Sequence, residues 1–170
     1  MILDARLPAI LRGTEKPANA AEHLEMARLC QLKKLYAGAA RLYADAFATK
    51  PQLAEDLGTR SRYNAACSAA LAGCGRGEDG AERGDAERAR WRAQAGQWLR
   101  ADLDAWAKKL ESGLATDRAN IRRTLAWWRQ DPDLAGLRDP DALDKLAADE
   151  RKEFLALWAE VAAALARTEK

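Results

Sequence analysis

β-Branched residues are scarce in this chain, and their scarcity bears first on the fold class. The 170 residues include one valine, three isoleucines and six threonines, against 39 alanines and 23 leucines. Strands draw on β-branched and aromatic side chains, whereas alanine and leucine are strong helix formers. We therefore expect an all-α fold. The length favours a single domain over residues 1–170, which would bury about 70% of the surface of its unfolded chain.

A surplus of charge of one sign is also missing. The chain has 28 Lys and Arg residues against 26 Asp and Glu residues, which leaves a formal net charge of +2. Sequence-independent binding to nucleic acid depends on Lys and Arg side chains that release counterions from the phosphates. The balance of charge therefore predicts that nucleic acid is not a partner.

Paired cysteines and long apolar runs are absent as well. Cys30, Cys67 and Cys74 are odd in number, and no two have the Cys-x-x-Cys spacing of a zinc or redox site, which favours a reducing compartment. The longest uncharged apolar runs, such as residues 161–166, fall short of the roughly 20 residues that cross a bilayer. No basic segment followed by an apolar one begins the sequence. We expect a cytoplasmic protein with no membrane partner.

Caps and turn residues mark the ends of the expected helices. Asn19 followed by Glu22 has the spacing of a capping box, Pro51 suits the first position of a helix, and Thr116 suits a cap. Together with the hydrophobic spacing, they predict helices over residues 4–11, 20–34, 36–49, 52–57, 60–72, 85–110, 117–129 and 147–167. Five glycines make residues 73–84 the least structured stretch of the chain.

The second and third of these helices carry the spacing of a tetratricopeptide repeat (TPR). Ala39, Tyr43, Ala46 and Pro51 match the second half of this helix-turn-helix unit of about 34 residues. Small residues let paired helices approach closely, and the aromatic ring fills the space that the next unit leaves. We expect TPR-like antiparallel helix pairs, as in an α-solenoid or helical bundle. The predicted parts are a first unit over 19–51, an irregular second unit over 59–111 with the glycine-rich loop 73–84, and capping helices over 116–170.

A wider resemblance covers essentially the whole chain. It is carried by Leu7-Pro-Ala-Ile-Leu-Arg-Gly13 and by residues 27–34, 62–67, 98–103 and 131–135. These segments resemble the C-terminal region of large planctomycete-type bacterial serine/threonine protein kinases. In that family such regions follow a kinase domain and are TPR-like. The kinase motifs themselves are missing, since Asp-Phe-Gly does not occur and His23 is not followed by Arg-Asp.

The resemblance implies a non-catalytic module that binds a protein or peptide, with a kinase domain of the parent chain as one candidate partner. In TPR proteins the first helix of each unit lines a concave face. Carried over by position, six residues of this chain belong there: Leu24, Arg28 and Gln31 in the first unit, and Tyr63, Asn64 and Cys67 in the second. Asn64 falls where the family often uses Asn to hold a peptide backbone or carboxylate, and Arg28 supplies the positive charge that such a clamp needs. The alternative is a structural spacer or docking domain without a ligand of its own.

One glycine motif could carry different chemistry. Gly75-Arg-Gly-Glu-Asp-Gly80 matches the phosphate-binding pattern G-x-G-x-x-G. That pattern needs a preceding strand and backbone amides that face a pyrophosphate. Here a helix precedes it, and Glu78 and Asp79 would repel phosphate. We interpret it as a flexible loop.

Two adjacent tryptophans could also stack on the bases of a single strand. Trp127 and Trp128 lie close to Arg122, Arg123 and Arg129, and aromatic and basic side chains together bind single-stranded nucleic acid. Only one of two neighbouring residues on a helix can point squarely into the core. We interpret the group as core packing beside a solvated arginine face.

The remaining polar groups predict no enzyme, metal or cofactor. The aspartates between Asp131 and Asp144 lack the Asp-x-Asp-x-Asp-Gly loop of a calcium site, and Asp131-Pro132 and Asp139-Pro140 suit turns or caps. His23 is the single histidine and has no nucleophile motif near it. We expect a structural or surface role for it.

Overall fold

Helices make up all the regular secondary structure in the ranges that the computed structural model describes, residues 2–80 and 84–169. They are α1 (Ile2–Leu11), α2 (Ala20–Leu32), α3 (Tyr36–Thr49), α4 (Gln52–Glu55), α5 (Ser61–Gly73), α6 (Asp85–Leu110), α7 (Ala115–Trp128), α8 (Pro140–Leu143) and α9 (Ala148–Arg167), with a 3₁₀ helix over Pro132–Leu137. The predicted all-α class is confirmed. None of the helices in these ranges has both the length and the apolar character needed to cross a membrane.

Local capping explains where several helices begin. The side-chain oxygen of Asn19 accepts a hydrogen bond from the backbone N–H of Glu22 at 3.0 Å, so the predicted cap of α2 is confirmed. The Glu22 carboxylate accepts in return from the backbone N–H of Ala18, one residue before the position expected in a capping box. The bounds of α3 and α6 are those predicted.

Several predicted helix bounds or caps are wrong, including the end of α2, which lies at Leu32 and not at residue 34. Thr116 lies inside α7, which begins one residue earlier and has no side-chain cap. The helix predicted over residues 52–57 ends at Glu55, because the Asp56 carboxylate accepts a hydrogen bond from the backbone N–H of Gly58 at 2.9 Å and turns the chain. The spacing of apolar residues could not predict this turn, because the turn depends on a polar side chain, that of Asp56.

The first helices enclose a hydrophobic cluster that we call the N-terminal core. Residues 33–35 connect α2 to α3, and the two helices pack together through small, fully buried side chains such as Ala27 and Ala39. Small side chains at an interface bring helix backbones close and leave little void. The N-terminal core consists of Leu7, Ile10, Leu24, Met26, Ala27, Cys30, Ala39, Leu42, Tyr43, Ala46, Phe47 and Ala65.

A second cluster, the C-terminal core, lies between α5, α6, the 3₁₀ helix, α7 and α9. It consists of Ala40, Tyr63, Ala66, Cys67, Ala69, Ala70, Ala95, Leu99, Leu103, Trp106, Ile121, Leu125, Trp128, Leu134, Leu137, Leu143, Phe154, Leu157, Val161 and Ala164. Ala40 comes from α3, while Ala65 of α5 belongs to the other core, and Trp98 packs against both. The two clusters are therefore joined through α3, α5 and α6.

The glycine-rich loop returns to the start of α3. The Asp79 carboxylate accepts hydrogen bonds from the backbone N–H groups of Gly38 at 2.8 Å and Ala37 at 3.3 Å. A carboxylate at this end of a helix is favoured, because the first N–H groups lack partners within the helix and the helix dipole is positive there. The glycine motif therefore supplies an anion to a helix N-terminus instead of binding one.

Backbone contacts reinforce this docking. The backbone N–H of Glu78 donates to the carbonyl of Lys34 at 2.9 Å. Gly77 has a φ of +91°, and a Cβ atom there would collide with that same carbonyl, so this position requires glycine. Residues 74–80 are non-helical, as predicted, but they are packed against α3, which corrects the flexible-loop interpretation. Residues 81–83 of the predicted loop lie outside the described ranges.

Candidate functional site

Polar side chains from three helices meet at the hydroxyl group of Tyr43. This hydroxyl donates to the side-chain oxygen of Gln31 at 3.0 Å. The amide nitrogen of Gln31 donates in turn to the hydroxyl of Ser68 at 2.9 Å and to the backbone carbonyl of Asn64 at 3.2 Å. Gln31 of α2 thereby links α3, which carries Tyr43, to α5, which carries Asn64 and Ser68.

Arg28 and the Asn64 side chain complete this group, which we call the Tyr43 cluster (Arg28, Gln31, Tyr43, Asn64 and Ser68). Burial raises the pKa of the Tyr43 hydroxyl to about 12, while Arg28 and the Asn64 side chain act in the opposite direction. The hydroxyl is therefore protonated at neutral pH. Arg28 is exposed, and in the described part of the chain no carboxylate pairs with it.

The other three predicted groove residues lie in the two cores. Leu24 is buried in the N-terminal core, and Tyr63 and Cys67 are buried in the C-terminal core. The Tyr63 ring stacks on Trp128, with 5.3 Å between ring centroids and 16° between ring planes. The 3₁₀ helix packs against α5, and Trp128 of α7 covers Tyr63. The structure thus brings Arg28, Gln31 and Asn64 together and encloses the remaining three.

A buried carboxylate, Asp131, organises the covered side of α5. One of its oxygens accepts hydrogen bonds from the Tyr63 hydroxyl at 2.7 Å and from the Trp127 indole N–H at 2.9 Å. The other accepts from the backbone N–H of Asp133 at 3.0 Å, which confirms the predicted capping role. Burial, and then the proximity of Cys67 and Asp131, raise the pKa of the Tyr63 hydroxyl far above its usual range. Tyr63 is therefore a permanent donor to this carboxylate.

Sequence reasoning gave Asp131 and Asp139 the same role, because each precedes a proline. Asp139 begins α8 without a side-chain cap, and its carboxylate accepts instead from the Arg138 guanidinium at 3.0 Å. The difference arises from Tyr63 and Trp127, which reach Asp131 from other helices. No local pattern could have separated the two aspartates.

The two adjacent tryptophans differ in exposure. Trp128 is fully buried, whereas Trp127 is 47% exposed and lines a cavity of about 540 Å³. We call this cavity the Trp127 pocket. Besides Trp127, its lining includes a second indole, that of Trp106, and three cations, Arg60, Lys109 and Arg123. No acidic side chain from the described residues lines it. The expected division of the tryptophan pair is confirmed, but the exposed member faces a pocket.

A larger cavity of about 840 Å³ lies between α5, α6, the 3₁₀ helix and the start of α9. Arg92 lies along it, pairs with the Glu150 carboxylate through hydrogen bonds of 2.8 and 2.9 Å, and donates to the Gly73 carbonyl at 2.8 Å. Burial raises the pKa of the Cys74 thiol in the same lining. The lining contains both cations and carboxylates, so this cavity offers no surface of a single sign of charge.

The other nucleophilic and metal-binding side chains are dispersed. Burial raises the pKa of the Cys30 thiol to about 12 and places that of Cys67 well above its usual range, so both are held as poorly nucleophilic thiols. The Nδ1 atom of His23 lies 2.9 Å from the Asn19 carbonyl oxygen. Among residues 2–80 and 84–169, no three His, Cys, Asp or Glu side chains are grouped to hold a metal ion.

Comparison with known proteins adds no relative. Searches of protein-family models, of curated proteins and of solved structures find no match to this chain. The function must therefore be inferred from the Tyr43 cluster and the Trp127 pocket themselves.

Proposed function

We propose that the chain is a non-catalytic protein-interaction module built from TPR-like helix pairs, and that it binds a peptide carboxylate at Arg28 and Asn64. The observation that supports this best is that Gln31 hydrogen-bonds both the Tyr43 hydroxyl and the Asn64 backbone, with Arg28 close enough to oppose the rise in the pKa of that hydroxyl. Gln31 and Asn64 are 33 positions apart in sequence and come from different helices. The hydrogen bonds of Gln31 bring the C-terminal part of α2 to α5, which supports an arrangement in which the two are the first helices of successive repeat units.

The chemistry of the Tyr43 cluster suits a carboxylate. A guanidinium group binds a carboxylate through two parallel hydrogen bonds, and Arg28 is exposed without a resident carboxylate in the described ranges. The Asn64 amide offers a neutral donor beside it. Gln31 accepts from the Tyr43 hydroxyl and donates to the Asn64 backbone carbonyl, so the part of α5 that carries Asn64 is fixed before a ligand arrives.

The buried members of the predicted groove have a different part in this proposal. Leu24, Tyr63 and Cys67 fix the helices from inside the cores and do not contact the ligand. The bound segment would therefore be short, because the 3₁₀ helix already occupies the neighbouring face of α5.

We further propose that the module is accessory to a bacterial serine/threonine kinase system and works in the cytoplasm, with a kinase domain of the parent chain as one candidate partner. The support is the sequence resemblance, whose segments include residues 62–67 of α5 and 98–103 of α6. These two helices pack along each other and form the centre of the C-terminal core.

A library of short peptides tests the carboxylate site directly. The library is presented in two forms, with free and with amidated C-termini, to the wild-type chain and to the Arg28→Ala/Asn64→Ala variant. We expect selected sequences to bind the wild type only in the free-acid form and to lose at least about tenfold in affinity in the variant. Arg12→Ala, which removes an exposed arginine beyond α1, is the matched control. Equal binding of amidated peptides, or no effect of the double substitution, would refute the site.

A docking domain without its own ligand is the second candidate. The observation that favours it is the exposure of large apolar side chains at Leu32, Leu114 and Leu155. In this alternative, these residues contact another part of a parent chain, and the isolated chain self-associates through them. Light scattering over a range of concentrations tests it, because a monomer at every concentration would count against such docking.

A further inference from the structure

The Trp127 pocket is lined by cations and, among the described residues, by no carboxylate. Lys109 pairs with Asp117 at 3.3 Å, but Arg60 and Arg123 have no carboxylate partner in the described part of the chain. Arg123 donates a hydrogen bond at 3.0 Å to the side chain of Asn120, which is neutral and therefore does not offset the arginine charge. The Arg60 guanidinium lies 5.7 Å from the centroid of the Tyr63 ring. Two exposed guanidinium groups therefore meet at one cavity without a resident anion.

The indole ring of Trp127 is held in place by a hydrogen bond to a buried side chain. The indole N–H of Trp127 donates to the buried Asp131 carboxylate, which is itself fixed by the Tyr63 hydroxyl. Nearly half of the Trp127 surface nevertheless contacts solvent, at 47% exposure. An exposed ring that is already fixed loses little conformational freedom when a flat ligand stacks on it.

The cationic surface continues along α7 beyond the pocket. Arg118, Arg122 and Arg123 line a second, shallower depression of about 520 Å³ that shares Arg123 with the Trp127 pocket. Arg122 reaches a carboxylate, that of Glu169, only at 4.0 Å between two exposed side chains. The single acidic residue within α7, Asp117, is the one already paired with Lys109.

We propose that this surface binds single-stranded nucleic acid, with one base stacked on Trp127 and the adjacent phosphates on Arg60, Arg122 and Arg123. A base offers a flat aromatic face to the indole of Trp127. Successive phosphates along a strand can pair with the successive arginines of α7. Asn120 and Thr124 line the pocket and can hydrogen-bond the edge of the stacked base.

Other anions fit these observations less well. An acidic peptide would neutralise the arginines, but its Asp and Glu side chains have no aromatic ring to stack on the exposed indole. A duplex hides its base faces in the stack, and a free mononucleotide leaves the arginines of α7 outside the pocket unused. The proposal departs from the expectation drawn from the net charge of +2, because counterion release depends on the phosphates contacted locally and not on the whole-chain charge. This site shares no side chain with the Tyr43 cluster, so either proposal can fail without the other.

Fluorescence anisotropy with a labelled oligothymidylate of about 12 nucleotides, a length that one such site covers, tests the proposal on the full chain. Contacts to about three phosphates predict a slope of log affinity against log salt of about −2, and hence a roughly 20-fold loss of affinity between about 50 and about 200 mM salt. A salt-independent signal, or none, would overturn the proposal.

Substitutions separate stacking from charge. Trp127→Ala should weaken binding by about 5- to 160-fold, the range that loss of one stacked base covers. Trp127→Phe also removes the hydrogen bond to Asp131 but retains a flat ring, so it should restore most of the affinity. Arg123→Ala should reduce the salt slope by about 0.7, and Arg12→Ala should change nothing. Circular dichroism of each variant verifies that it is folded.

Competition identifies the ligand class. Poly-glutamate and thymidine monophosphate are titrated against the bound oligonucleotide, together with a duplex of the same length. We expect each to compete at least about tenfold less well than the unlabelled single strand. Equal competition by poly-glutamate would assign the surface to acidic peptides, equal competition by the monophosphate would assign it to free nucleotides, and equal competition by the duplex would exclude stacking. Each of these results overturns the proposal.

Discussion

The N-terminal and C-terminal cores bury polar groups in different ways. In the N-terminal core, the phenol of Tyr43 meets a neutral partner, the Gln31 amide. In the C-terminal core, the phenol of Tyr63 meets the Asp131 carboxylate, and Arg62 pairs with a second buried carboxylate, Asp102, at 2.5 Å. The hydrogen bond of the buried phenol in the N-terminal core is thus to a neutral amide, whereas the buried polar contacts of the C-terminal core involve carboxylates.

This difference determines how each region responds to the loss of a partner. A buried neutral group that loses a hydrogen bond costs less free energy than a buried charge that loses its counter-charge. The C-terminal core should therefore be the more sensitive half to polar substitutions, although it contains the larger number of apolar residues.

Removal of Arg62 should have the largest effect. The side chains of Arg62 and Asp102 are only 12% and 5% exposed, so Arg62→Ala leaves Asp102 buried without a counter-charge. We expect the free energy of unfolding to fall by about 3–5 kcal/mol, measured by urea denaturation. Asp102→Asn in the same chain should recover part of that loss, because it removes the unpaired charge. A loss below about 1 kcal/mol would show that solvent screens the Arg62–Asp102 ion pair, as it does for exposed ion pairs.

The same variant should show a stronger contribution of Asp102 to the pH dependence of stability, with the same sign as in the wild type. Burial raises the pKa of Asp102, and Arg62 opposes that rise. The folded state therefore binds the Asp102 proton more tightly than the unfolded chain does, so this group stabilises the fold as the pH decreases towards its pKa. Without Arg62 the pKa rises further, and the loss of stability should be smaller at about pH 5 than at about pH 8. Asp102→Asn should abolish that difference.

The two phenols offer the most direct comparison between the cores. Tyr63→Phe removes a hydrogen bond to a carboxylate and should cost about 1.5–3 kcal/mol, whereas Tyr43→Phe removes one to an amide and should cost about 0.5–1.5 kcal/mol. Both substitutions preserve the ring, so urea denaturation of the pair isolates the hydroxyl contributions. Equal costs would show that the charge of Asp131 does not strengthen its hydrogen bond.

Two glycines test how closely the helices pack within the C-terminal region. A Cβ atom at Gly73 of α5 would lie 2.8 Å from the backbone nitrogen of Arg92, whereas one at Gly96 would lie 3.4 Å from the Phe154 ring, an ordinary contact. Gly73→Ala should therefore cost about 1–3 kcal/mol through overpacking. Gly96→Ala should stabilise the middle of α6 by about 0.5–1 kcal/mol. Thermal unfolding of both variants distinguishes the opposite signs.

Thiol labelling should give the smallest differences. Burial raises the pKa of all three thiols, but Cys74 is partly exposed while Cys30 and Cys67 are buried, one in each core. Cys74 should react first with iodoacetamide, and faster at higher pH, because the thiolate is the nucleophile. Mass spectrometry after increasing times should then report the opening of the two cores from the labelling of Cys30 and Cys67. Simultaneous labelling of all three would indicate that no thiol is protected.

The sequence was informative where structure depends on neighbouring residues. The bounds of α3 and α6 and the cap at Asn19 follow from local spacing and capping chemistry, and the structure confirms them. The buried stripe of α6, which includes Leu99 and Trp106, also follows from helical periodicity.

It was uninformative where a side chain has a distant partner. Tyr63 is 68 positions from Asp131 in sequence, and its burial depends on a 3₁₀ helix that covers α5. The repeat spacing assigned Gln31 and Asn64 to the same predicted face, but the links of Gln31 to Asn64, Tyr43 and Ser68 follow only from three-dimensional packing. The predicted site residues follow from their positions in the repeat pattern. Position in the repeat does not show which neighbouring segment of the chain covers a residue.

The Asp79 cap has a consequence for where this chain can be divided. Its two hydrogen bonds join residues 41 and 42 positions apart, so the first helix pair depends on a residue that follows α5. A fragment that ends at Gly73 would contain every apolar residue of the N-terminal core, yet it would lack the anion at the start of α3. A fragment of the first half that ends beyond Asp79 should therefore be more stable than one that ends at Gly73. During synthesis, α3 acquires this cap only after the ribosome has added the glycine-rich segment.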